Sequence, residues 1–222
     1  MPKPGTKLNG EVAGAKTPVV LTMGHSTRPI EEFIQLLKAH EVQELVDVRT
    51  IPRSRHNPQF NWDALSESLK KARIGYVHMP ALGGLRHTTQ ASVNRGWRNT
   101  SFRGFADYMQ TAAFEQALGE LMQLAKKRRS VLMCAEAVPW RCHRSLIADA
   151  LLVRGVEVEH IMSLTSRHPH KLAPFAQVEG YRITYPDHTA SDSVSGALSS
   201  PIKVHRKHPR EVREKLQRKL GE

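Results

Sequence analysis

Short apolar runs alternate along this chain with stretches whose apolar residues recur every three to four positions, the pattern of βα units around a parallel sheet. Residues 19–23 form the first run and end at Gly24. Pro29 then suits the first turn of a helix, Glu31 and Glu32 suit its dipole, and Phe33, Ile34, Leu36 and Leu37 supply its buried stripe. A second strand is expected over 44–49 and a third over 76–79. Between them lies a helix capped by Asn61 or the residue before it and running to about Arg73, with Leu65 and Leu69 four apart. Helices over 102–110 and 113–127 precede the most hydrophobic strand, 130–134, which is expected at the sheet centre. A helix over 143–154 stops at Gly155, and a fifth strand follows over 156–162. Residues 181–185 alternate and read as an edge strand.

These elements predict an α/β fold, a three-layer Rossmann-like domain with a mostly parallel sheet of about five strands. The domain would span 18–185, between a disordered tail (1–17), a flexible linker (186–201) and a basic tail or helix (202–222). Residues 82–101, rich in Gly, Arg, Asn and Thr, form a connection long enough to suggest a lid or a disordered segment.

Composition narrows the class. With 222 residues and 40% hydrophobic content, the chain can bury a core of ordinary size. No apolar stretch approaches the roughly 20 residues of a spanning helix, and the lysines near the start lead into no apolar signal region. Two cysteines in such a chain fit chemistry or burial better than a disulfide scaffold. These features predict a cytoplasmic protein without membrane association. The net charge of +12 favours an anionic partner, a small molecule or a nucleic acid. Residues 202–222 hold eight Lys/Arg against three Glu, and no aromatic residue among them offers base stacking.

The candidate chemistry sits where strands end, the side on which open parallel sheets bind ligands. Gly24-His25-Ser26 follows the first strand. Asp47-Val48-Arg49 closes the second, with Arg53 and Ser54 just beyond. Gly83-Gly84 and Arg86 follow the third, and Cys134-Ala135-Glu136 the fourth, with Cys142-His143-Arg144 opening the next helix. These residue types divide naturally into roles. Cys134 or Cys142 would be the nucleophile, His25 or His143 the acid/base, and Glu136 or Asp47 the group orienting the histidine. Ser26, Arg49, Arg53, Ser54, Gly83, Gly84, Arg86 and Arg144 would contact substrate. Asp47 and Arg49 share a strand face and would equally form a structural ion pair. Trp140 suits stacking on a base or sugar, whereas helix packing is the default for Trp62.

Three specific chemistries are weaker. Cys134-x6-Arg141 is one residue longer than a phosphatase loop and lacks its glycines. The C-x7-C spacing matches no zinc knuckle, so no metal ligand is assigned and no cofactor is required, a metal ion staying an alternative. A redox pair of the two cysteines is a further alternative.

The set GHS, DVR with PRS, LGG and C-x-E with C-H-R, in that order over about residues 19–162, resembles the domain of unknown function 488 family. That resemblance implies a compact α/β fold with a shared site at these motifs and no particular reaction. Residues and resemblance together lead to an enzyme acting on an anionic, phosphorylated or nucleic-acid-derived substrate. The alternatives are a non-catalytic nucleic-acid- or nucleotide-binding module and a metal-dependent hydrolase.

Overall fold

The computed structural model describes residues 19–187. The tail over 1–17, nearly all of the linker and the basic segment over 202–222 lie outside the described residues. Within them, β1 (Val19–Gly24), β2 (Glu44–Asp47), β3 (Gly75–His78), β4 (Ser130–Cys134) and β5 (Glu157–Ile161) form a parallel sheet in the order β3-β2-β4-β1-β5. The expected three-layer α/β domain is therefore present, with β4 and β1 in the interior of the sheet. A sixth strand, β6 (Arg167–Pro169), pairs antiparallel with β5. Its three residues are all exposed, so no alternation marked it in the sequence. The expected edge strand over 181–185 does not join this sheet. Its core, β8 (Arg182–Thr184), pairs instead with β7 (Gln177–Glu179) in a separate two-stranded ribbon.

Side-chain alternation along the strands sorts the core into two halves. Val20, Val46, Leu132 and Val158 face one side with α3 (Thr100–Tyr108), α4 (Ala112–Lys127) and α5 (Arg144–Val153). Leu21, Met23, Leu45, Val131 and Met133 face the other with α1 (Ile30–Ala39) and α2 (Trp62–Lys71). Asn99 caps α3 by accepting from the N–H of Ser101 (2.8 Å), and Thr111 caps α4 from Phe114 (3.3 Å). Asn61 precedes α2 as expected, but its side chain accepts from Ser54 N–H (2.8 Å) and does not cap the helix. Gly155, at φ +77°, ends α5 in the left-handed conformation that its position predicted.

The long connection before α3 is neither open nor unstructured. The Asp107 carboxylate accepts from Thr88, Thr89, Ser92 and Asn94, the shortest bond being 2.6 Å from Ser92. Burial pushes this carboxyl up, but those bonds together outweigh it and hold its pKa below the usual range. Asn94 in turn accepts from the N–H of Tyr185 (2.9 Å), tying the loop to the end of the domain. Trp97 packs on Phe102, Phe175 and Tyr185, so it is the core tryptophan. Trp62, for which packing was expected, is 50% exposed, and Trp140 is 65% exposed.

Candidate functional site

Register brings the motifs to one edge. Gly24 stands beside Cys134 and Asp47 beside Met133, so β1, β2 and β4 end level with one another. The pairing continues past the strands, with His25 N–H donating to Cys134 O (2.9 Å) and Val48 N–H to Met133 O (3.0 Å). A Cβ on Gly24 would run into the carbonyl of Glu136, so glycine is required where the first strand meets the Cys134 loop.

The sheet then divides the expected residues between its faces. Leu132 and Cys134 share the face covered by α3–α5, and Cys142 lies in the same half of the core. Asp47 and Arg49 alternate with Val46 and Val48 and so point to the opposite face. There His25 stacks on Phe60, with centroids 4.3 Å apart. The single site anticipated at the strand ends is thus two clusters back to back.

On the α1–α2 face the groups are mutually satisfied. Arg49 donates through Nε and Nη2 to Asp47 (2.9 and 2.6 Å) and through Nη2 to the Phe60 carbonyl (2.8 Å), and Tyr76 Oη donates to Asp47 (2.9 Å). Both charges are buried, so the structural ion pair is formed. Asp47 orients an arginine here, and among the described residues its carboxylate makes no hydrogen bond to a histidine. His25 donates from Nδ1 to Ser26 O (2.8 Å), and its Nε2 lies 3.5 Å from Arg49 Nη1. Burial lowers its pKa to about 4, with the Arg49 charge adding to it and the Ser26 carbonyl offsetting part, so His25 is neutral at physiological pH. Ser26 adopts φ 51°, an uncommon conformation for a residue with a side chain. Ser54 accepts from Asn57 N–H (3.1 Å) and so shapes its own loop.

On the other face Cys134, Cys142 and His143 converge. Both thiols are free and buried, and His143 is half-buried. His143 Nδ1 lies 3.9 Å from Cys134 Sγ and 3.8 Å from Cys142 Sγ. Its Nε2 lies 3.1 Å from the Val48 carbonyl. A carbonyl only accepts, so Nε2 carries the proton, and the Nδ1 lone pair faces the two sulfurs. The thiols themselves are made unequal. The neighbouring Cys142 thiol and burial push the Cys134 pKa far up. The same interaction, with the charge and backbone N–H of Arg144, lowers Cys142 to about 7 against the opposing effect of burial.

Several expected ligand-binding groups are already engaged. Arg144 donates from Nη1 to Glu136 O (2.6 Å) and from Nη2 to Ala137 O (2.9 Å), holding the loop between the two cysteines; its Nε is buried without a partner. Arg86 donates to the carbonyls of Gly83 (3.0 Å) and Ala81 (2.8 Å) and stacks over Tyr108. Gly83 and Gly84 serve close approach, since a Cβ on Gly83 would strike Thr50 and one on Gly84 would strike the His143 ring at Nδ1. Arg53 and Glu136 have exposed side chains without a partner among the described residues.

Sequence reasoning missed Tyr76 and the Val48 carbonyl. Tyr76 stood in a recognised strand, directly across from the residue after Glu44 in the β2–β3 register, and a hydroxyl next to a charged strand was its only signal. The Val48 carbonyl carries no side-chain signal at all. No curated protein and no solved structure matches this chain. The model for the domain of unknown function DUF488 matches residues 29–151, a span that contains DVR, LGG, both cysteines and His143, while His25 and Ser26 precede it. With more than half its length matched, the chain belongs to the DUF488 family.

Proposed function

We propose that this protein is an enzyme acting on a phosphorylated or nucleic-acid-derived anion, with Cys134, Cys142 and His143 as its reacting centre. The observation that carries the reading is the convergence of two thiols on the lone-pair nitrogen of an imidazole fixed by a backbone carbonyl. One acidified thiol beside a second thiol and a positioned base, at the carboxyl ends of parallel strands, is what hydrolysis or group transfer needs. Arg49, Arg86 and Arg144 are committed to internal partners, so the anion would be met by Arg53, Arg55 and Arg141. The side chains of these three are exposed and have no hydrogen-bond or ion-pair partner among the described residues. A net charge of +12 supports an anionic substrate through long-range attraction.

The test is incubation of the full chain with a panel of phosphate esters, nucleotides and short RNA and DNA strands, with products identified by mass spectrometry. Product formation by the wild type and its loss in Cys142→Ser is the expected result. Binding that falls steeply with salt, equal in wild type and Cys142→Ser and without any product, would overturn the enzyme reading in favour of a nucleic-acid-binding module.

A further inference from the structure

The same cluster has the dimensions of a metal site. Zinc bonds of about 2.3 Å to sulfur and 2.0–2.1 Å to nitrogen, at tetrahedral angles, place sulfur and nitrogen about 3.6 Å apart and two sulfurs about 3.8 Å apart. Here the Nδ1–sulfur separations are 3.8 and 3.9 Å, and all three donor atoms lie within 4.8 Å of one another. Two edges of a tetrahedral face are therefore preformed to within a few tenths of an ångström, and the third, between the sulfurs, is no longer than 4.8 Å.

We propose that Cys134, Cys142 and His143 hold one zinc-class divalent ion through two thiolates and Nδ1, with the fourth position open to water or substrate. This rests on the reading of the cluster as the reacting centre and names its cofactor. Four features support it. The Nε2–H to Val48 carbonyl bond is the outer contact that metal-bound histidines use to fix tautomer and ring orientation. The thiols are only 7% and 2% exposed, which suits ligands better than nucleophiles that must themselves reach a bulky substrate. Gly84 leaves clear the space beside Nδ1 that a side-chain Cβ would fill. Two thiolates and an imidazole select a borderline-soft ion such as zinc over magnesium or calcium, which take oxygen ligands.

The charge also balances. Binding displaces one proton from each thiol to solvent, so two thiolates neutralise the dication and no net charge is left in a buried place. The C-x7-C spacing matches no knuckle because the ligands come from a strand end and a helix start, which the fold brings together. The histidine pair on β5 and beyond β6 does not compete. His160 and His170 bond each other (3.0 Å), and their remaining nitrogens bond Thr22 (2.7 Å) and Asp149 (2.7 Å).

The experiment is metal analysis of the full chain purified without chelator, followed by chelator dialysis and titration with zinc or cobalt. The expected result is one equivalent of zinc per chain. The cobalt form should show thiolate charge transfer in the near-ultraviolet and the intense visible bands of a tetrahedral site. Cys134→Ser, Cys142→Ser and His143→Ala should each bind at least ~100-fold more weakly, while His56→Ala, an exposed control, should load fully. A folded wild type that takes up less than a tenth of an equivalent at saturating zinc, or full loading of Cys142→Ser, would overturn the inference. The two readings fail separately. Turnover without metal loses the ion and keeps the enzyme, whereas stoichiometric zinc without turnover on the panel keeps the ion and loses the enzyme.

Discussion

Arg49 shows how a residue type that suggests substrate binding is spent on structure. Its guanidinium has three acceptors from Asp47 and Phe60 within 3.1 Å, all out of water. Removing the acid would leave a buried cation unpaired, so Asp47→Ala should lower unfolding free energy by roughly 3–5 kcal/mol. Urea denaturation measures this, and a loss below 1 kcal/mol would mean that water reaches the pair. Gly84 poses the opposite question, because its side chain is absent by requirement. Gly84→Ala should displace the His143 ring and remove activity while leaving the melting temperature nearly unchanged, since the loop can yield where the imidazole contact cannot hold. Equal activity in Gly84→Ala would separate His143 from the reaction. At this scale the sequence named nearly every residue of the cluster. It offered the Asp47–Arg49 pair that the structure forms, but not the internal carbonyl partners of Arg86 and Arg144, because which carbonyls turn toward a guanidinium depends on loop paths that periodicity does not encode.

Elements were more legible than loops. The five parallel strands and five helices follow from apolar runs and 3.6-residue stripes, since each buries a continuous face. Strands β6 and β7, exposed along their three residues, left no such trace. The 82–101 connection was misjudged as lid or disorder because its order comes from one carboxylate, Asp107, across a helix boundary. Asp107→Ala should therefore lower hydrogen-exchange protection over residues 88–94 and leave β4 unaffected. Unchanged protection would place the loop's order in Trp97 packing instead. Within α4, Gly119 is exposed and a Cβ there meets nothing within 4 Å. Gly119→Ala should accordingly stabilise the protein by about 0.5–1 kcal/mol, read as a higher denaturation midpoint.

Across the whole molecule, burial of ionisable groups couples stability to pH. Burial, then the His170 charge, lowers His160 to about 4, with Arg144 and His168 acting in the same direction. Asp149 on α5 and Tyr185 face the same network from the far side of His170. A histidine with a depressed folded pKa takes up protons more readily when unfolded. Its contribution is complete above pH 6.5, falls as pH drops from there, and is lost below about 4, at up to about 3 kcal/mol. His160→Gln should flatten the wild-type decline in stability between pH 7 and pH 5; an identical slope would assign that decline to other groups. The chain's α/β class and its motif-bearing edge were legible in sequence because both follow from strand order and strand ends. The division of that edge into two faces was not, because a one-residue offset along a strand decides the side, and only the assembled register fixes it.

The account stands or falls on whether Cys134, Cys142 and His143 act as one centre. The most direct measurement is turnover of a substrate from the panel by Cys142→Ser, His143→Ala and the double variant, each shown folded by circular dichroism. A single centre predicts a loss of at least ~100-fold in either single variant and little further loss in the double, because groups that act as a unit are strongly non-additive. Near-wild-type turnover in either single variant, or two modest losses that simply multiply in the double, would contradict it.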